Sequence, residues 1–299
     1  MGPQPFVPAS ASLETDATTL HLGEQRGSFT VPVMVQGKGP YTFKIDTGCG
    51  AVIVSPLVAR EAGLERMNVK LMDQLASGKP ATTSHALARL KELNVGAATF
   101  RDMYVRISAE EDFPKAGGLD GILGFPAMQV LPVTLDMPAK ELRIMRRSPL
   151  APGAAGIMPL NIGRGAPVLT IEVAKALPKQ RGVEVVVDTG CTMPLVLPPA
   201  AKEAFDAPTD VGTMETRSFF GTATVGIERH RTPIAFPGMI LKSNVVVFYA
   251  DGPVYAMGLP LLRHYRITFD GPRGVMQMLL TDPPPAELGV VTGPAPAGY

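Results

Sequence analysis

The 299-residue chain contains no tryptophan, two cysteines and only 18% charged residues. Two cysteines are too few for a disulfide framework. Lys plus Arg number 28 and Asp plus Glu 27, a formal net charge of +1. Such a balance offers no electrostatic footprint for nucleic acid or for an anionic membrane surface. No uncharged apolar run approaches the ~18 residues that a membrane-spanning helix needs. Metal-ligand spacings such as HExxH and CxxC are missing. Gly117-Gly118-Leu119-Asp120-Gly121 lacks the Rossmann spacing, and Ser77-Gly78-Lys79-Pro80 lacks the upstream glycine of a phosphate loop. No metal and no cofactor is therefore expected. The histidines, His21, His85, His230 and His264, show no spacing that would give either cysteine a base. Met1-Gly2-Pro3-Gln4-Pro5 does not read as the basic start of a signal peptide, although a chain beginning after a cleaved signal reads the same way.

Glycine (31) and proline (30) are plentiful, and 45% of residues are apolar. That mixture favours many short strands joined by turns around a real core.

The chain repeats itself. Residues 46–62 (DTGCGAVIVSPLVAREA) and 188–204 (DTGCTMPLVLPPAAKEA) align without a gap and share nine of seventeen residues. Residues 124–136 (GFPAMQVLPVTLD) and 258–270 (GLPLLRHYRITFD) form a second aligned pair. The offset falls from 142 to 134, a net deletion of eight residues between the blocks of the second half. The unit is a tandem duplication. Residues 146–167, rich in Gly, Pro and Ala, read as a connection with one short strand inside it. Arg143, Arg146 and Arg147 read as a solvated strand end. The Pro- and Gly-rich stretch from Asp282 reads as loosely ordered, as does the start of the chain.

Short β-rich runs, Ser28–Val35 and Tyr41–Ile45, lead into Asp46-Thr47-Gly48, and 183–187 leads into Asp188-Thr189-Gly190. An apolar strand follows each turn (51–54 and 193–197), then Pro and a short helix-like AxEA stretch. Further strands are expected at 88–95, 99–107, 133–135, 142–145, 222–228, 239–248, 267–269 and 275–280.

A lone Asp-Thr-Gly is a common turn. Two in equivalent places of a duplicated unit, each at the end of an apolar strand, point to chemistry. If the halves pack about a pseudo-two-fold axis, Asp46 and Asp188 meet on it. Two carboxylates ~3 Å apart at an effective dielectric near 20 repel by roughly 5 kcal/mol, about four pKa units. The pair then holds one shared proton, a general acid beside a general base. Gly48 and Gly190 allow tight turns. Thr47 and Thr189 can donate hydrogen bonds across the axis. Cys49 and Cys191 flank the pair as buried free thiols, too far apart for a disulfide.

At these residues the chain resembles the aspartic protease superfamily, pepsin- and retropepsin-like. The resemblance rests on KIDTG and VVDTG, and on the apolar-apolar-Gly signatures Ile122-Leu123-Gly124 and Ala256-Met257-Gly258, the second looser than the first. The short halves are closest to bacterial retropepsin-like enzymes, here with both halves fused in one chain. The resemblance implies an all-β bilobal acid-protease barrel with catalytic Asp46 and Asp188, an aspartic endopeptidase acting on polypeptide substrates and sensitive to statine-type inhibitors such as pepstatin. It implies activity at acidic to mildly acidic pH. A monomer follows, because both half-sites lie in one chain. The bounds read as an N-terminal segment (1–27, at most a first strand), lobes at 28–147 and 168–281, a linker at 148–167 and a tail at 282–299. Location reads as periplasmic or secreted, with the cytoplasm left open.

Two features depart from the family. Cys49 and Cys191 stand where Ser, Thr or Ala is usual, and no flap tyrosine lies between Tyr41 and Tyr104. The flap candidates are 75–84, with Ser77 and Gly78, and 217–224, with Phe219, Phe220 and Gly221. The reading from another class is a peptide-binding scaffold that keeps this fold without turnover.

Overall fold

Alternation in the Lys38–Asp46 strand sends Tyr41, Phe43 and Ile45 into the core and leaves Lys44 and Asp46 together on the opposite face. A computed structural model describes residues 6–67, 69, 72–82, 85–109, 118–173, 182–218, 221–249, 251–282 and 290–292. In it, Ser28–Val35 pairs with Lys38–Asp46 and with Ala86–Val95, which pairs with Ala98–Ile107. Ala98–Ile107 pairs with Ile53–Val54, Ile53–Val54 with Gly121–Gly124, and Gly121–Gly124 with Lys38–Asp46. This closes a six-stranded barrel. Fully buried Val33, Phe43, Leu90 and Val105 belong to its core. The molecule is all-β, built around this closed barrel.

The second half repeats the central connections. Gly121–Gly124 lies between Lys38–Asp46 and Ile53–Val54, parallel to the first and antiparallel to the second. Ala256–Gly258 lies between Val183–Asp188 and Leu195–Leu197 with the same directions. Ile53–Val54 runs parallel to Ala98–Ile107, and Leu195–Leu197 parallel to Asn244–Phe248.

A six-stranded sheet joins the halves. Its centre is Val133–Asp136 paired antiparallel with Tyr265–Asp270, the two copies of one repeated block. Thr134 and Thr268 face each other, and their hydroxyls hydrogen-bond at 2.8 Å. Phe125 and Phe269 meet edge to face with centroids 5.1 Å apart.

Several expected bounds are corrected. Strand over 51–54 is confined to Ile53–Val54, and over 193–197 to Leu195–Leu197. The run 239–248 is two strands, Met239–Leu241 and Asn244–Phe248, because each pairs elsewhere. Asn244 Nδ2 fixes the break by donating to the Thr232 carbonyl at 2.6 Å. The connection holds two short strands, Ile157–Pro159 and Asn161–Gly163, rather than one. Where the sequence suggests at most one N-terminal strand, three are built, Ser10–Leu13, Ala17–His21 and Gly23–Gln25. The first two are edge strands whose partners, Ala98–Ile107 and Glu141–Met145, lie far along the chain, so local pattern does not reveal them; Gly23–Gln25 pairs with the adjacent Ser28–Val35. Arg146 is no free strand end: its Nε donates to the Leu13 carbonyl at 3.1 Å. Of the tail, Val290–Thr292 adds a strand beside Met239–Leu241, and most of the remainder lies outside the described residues.

Candidate active site

The Lys38–Asp46 and Val183–Asp188 strands each end on an aspartate. Each chain then turns sharply, with Cys49 N donating to the Asp46 carbonyl at 3.1 Å and Cys191 N to the Asp188 carbonyl at 3.3 Å. The apolar-apolar-Gly strands close beneath these turns. Gly124 stands in register with Asp46 and Gly258 with Asp188. Phe125 N donates to the Cys49 carbonyl at 3.0 Å, and Leu259 N to the Cys191 carbonyl at 2.9 Å. A Cβ on Gly124 would overlap the carbonyls of Ala51 and Cys49, and one on Gly258 the carbonyl of Met193. The looser second signature therefore occupies the same place as the first.

Thr47 and Thr189 bond reciprocally. Thr47 N donates to Thr189 Oγ1 at 3.1 Å, and Thr189 N to Thr47 Oγ1 at 3.0 Å. Each hydroxyl then donates to a carbonyl of the other half, Thr47 to Val187 at 2.5 Å and Thr189 to Ile45 at 3.1 Å. Both side chains are buried, and all four groups are satisfied.

Gly48 lies against the Asp188 carboxylate and Gly190 against that of Asp46, so a side chain at either glycine would overlap the opposite acid. Close approach, rather than backbone conformation, requires glycine here. Each carboxyl thus sits against the glycine of the other's turn, close enough for the charge of Asp46 to act on Asp188. Burial pushes Asp188 up to about 8, and the charge of Asp46 adds to the rise. Lys44 and the Gly190 amide oppose it. Asp188 Oδ1 accepts from Gly190 N at 2.8 Å and from Cys191 N at 3.1 Å.

Lys44 is the residue that sequence reading did not single out. Its Nζ donates to the Gly190 carbonyl at 2.8 Å and lies 3.5 Å from Asp46 Oδ2. Burial favours its neutral form, but the charges of Asp46 and Asp188 outweigh this and raise its pKa, so it is an ammonium.

The thiols do not reach the carboxylates as donors. Cys49 Sγ donates to the Ala51 carbonyl at 3.2 Å and Cys191 Sγ to that of Met193 at 3.5 Å. Burial, reinforced by the nearby aspartates, pushes both up to about 12. Both are free cysteines and neutral, so neither is poised as a nucleophile.

Ser77 and Gly78 lie in the turn of the hairpin formed by Met72–Gln74 and Pro80–Thr82. This hairpin reaches the second half. Ala76 N donates to the Gly252 carbonyl at 2.9 Å, and Lys79 Nζ pairs with Asp251 at 2.8 Å. Arg164 donates to the carbonyls of Gln74 and Leu75 at 3.1 and 2.8 Å. On the other side Gly221 opens the Gly221–His230 strand opposite Ser218, and Phe219 and Phe220 lie outside the described residues. Among the described residues no three His, Cys, Asp or Glu side chains are grouped to hold a metal ion. None of their helices is long and apolar enough to cross a membrane.

Residues 31–127, which span the first Asp-Thr-Gly turn and the first apolar-apolar-Gly signature, match the family model described as aspartyl protease. Comparison with curated proteins gives no match.

Proposed function

We propose that this chain is an aspartic endopeptidase working through Asp46 and Asp188 as one acid–base pair, a reading supported by the aspartyl protease match over residues 31–127. The observation that carries this is the reciprocal junction of the two Asp-Thr-Gly turns, which sets each carboxyl against the glycine of the opposite turn. In the singly protonated pair, the carboxylate takes a proton from a bound water as its oxygen attacks the peptide carbonyl carbon. The carboxylic acid protonates the carbonyl oxygen, giving a tetrahedral diol. A proton then passes to the peptide nitrogen, the C–N bond breaks, and a new carboxyl and a new amine leave.

The hairpin tied to Asp251 and Arg164 supports a flap role over the cleft. Both turns come from one chain, so we read the active form as a monomer. The test is cleavage of a diverse peptide library from pH 3 to 8, read by mass spectrometry, with wild type beside Asp46→Ala and Asp188→Ala. Cleavage by wild type and its loss in both variants is expected. Full activity in either variant contradicts the mechanism, and no cleavage by wild type at any pH leaves a peptide-binding protein of this fold.

A further inference from the structure

Lys44 is the charge that the duplication does not repeat. Two residues before Asp188, the equivalent position is Val186. The Lys44 side chain is 18% exposed, and its bond to the neutral Gly190 carbonyl fixes the ammonium without neutralising it. Its counter-charge is the aspartate pair. The two carboxyls, each followed by Thr-Gly-Cys, thus have unlike surroundings. Asp46 Oδ2 faces a cation, whereas Asp188 Oδ1 takes two backbone amides. Among the described residues no amide of Gly48 or Cys49 bonds the Asp46 carboxylate.

Other charges near the pair do not blur this. Cys49 and Cys191 are neutral thiols. Arg106, the next cation on the Cys49 side, is held by both oxygens of Asp73 at 2.6 and 2.7 Å. The flanking strands set Thr30 and Ile122 opposite Lys44, and neither ionises.

We propose, on the reading that Asp46 and Asp188 form the working pair, that Lys44 is a positioning residue that polarises it, holding the negative charge on Asp46 and the shared proton on Asp188. One carboxylate, one carboxylic acid and one ammonium form a group of zero net charge, which a buried site tolerates better than a lone anion. Lys44 therefore keeps the singly ionised pair populated to lower pH. A cation beside a carboxylate moves its ionisation by about 1–3 pH units.

The test is kcat/KM from pH 3 to 9 on a randomised quenched-fluorescent peptide pool, for wild type, Lys44→Met and Lys44→Arg, with folding checked by thermal melting. In Lys44→Met the acid limb moves up by about one pH unit or more, and Lys44→Arg keeps the limb near its wild-type position. A structural role alone lowers the rate without moving the limb. An acid limb in Lys44→Met that coincides with wild type overturns the proposal. Should that variant be inactive or unfolded, Lys44→Gln is titrated by NMR on ¹³C-labelled aspartate side chains. The first ionisation of the pair then rises, and an unmoved step overturns the proposal. Asp46→Ala and Asp188→Ala in the same assay separate the two readings. Full activity in either defeats the pair itself, whereas loss in both with an unmoved limb defeats only the role of Lys44.

Discussion

Asp188 is the buried acid of the pair, raised to about 8 from an ordinary 3.8. Between those values the folded protein keeps a proton that the unfolded chain releases. Stability from this group is therefore full below about pH 4 and is lost as pH rises towards 8. Asp188→Asn carries no such cost, and its Oδ1 can still accept from Gly190 and Cys191. The variant is expected to gain on wild type from pH 4 to pH 8, by on the order of a few kcal/mol at the upper end. Urea unfolding at the two pH values measures this, and a gap that does not widen contradicts the burial of a protonated Asp188. Asp46, Thr47, Gly48 and their second copies were legible because the sequence states them twice. Lys44 lies two residues ahead of the repeated block and has no copy, so the repeat could not mark it. The one available signal was the strand period of two, which sets residues 44 and 46 on one face. The direction of the thiols was not legible either, since a turn two residues long decides whether Sγ meets a carboxylate or the Ala51 carbonyl.

Each apolar-apolar-Gly strand is inserted between the strand that carries an aspartate and the strand that follows its turn, and its glycine packs on the backbone of that turn. Gly258→Ala drives a methyl into the Met193 carbonyl, and backbone cannot swing aside as a flexible side chain can. A loss of about 1–3 kcal/mol is expected, together with loss of peptide cleavage, because the Asp188 turn must shift. Thermal or urea unfolding of the variant checks the first part and a cleavage assay the second. Wild-type stability and rate in Gly258→Ala would contradict the packing described. Most strands were legible from apolar runs between turn residues. The breaks were not, because Met239–Leu241 and Asn244–Phe248 part only where their partners differ. The place of the segment between the repeated blocks marked 75–84 as a candidate flap; the hairpin runs over 72–82, and residues 83 and 84 lie outside the described residues. Its attachment to Asp251 and Arg164 joins residues far apart in the chain, which no local pattern encodes.

The halves are joined where the duplicated blocks meet themselves. Thr134 faces Thr268 in the central sheet, and Thr47 exchanges hydrogen bonds with Thr189 under the acids. A pseudo-two-fold relation was expected from the repeat alone, and these contacts are its physical content. The asymmetry superposed on it sets an ammonium on one acid and two amides on the other; the ammonium is Lys44, where the second copy has Val186, whereas the amides belong to Gly190 and Cys191, residues that both copies share. It sets how one proton is shared over a pH range that reaches neutrality, beyond the acidic range the resemblance suggests. The most direct measurement is therefore the pH dependence of kcat/KM for wild-type peptide cleavage. A bell-shaped profile that stays high through neutral pH and falls above about pH 8, where Asp188 loses its proton, is the expected result. A rate that continues to climb beyond pH 9 would contradict a singly protonated aspartate pair.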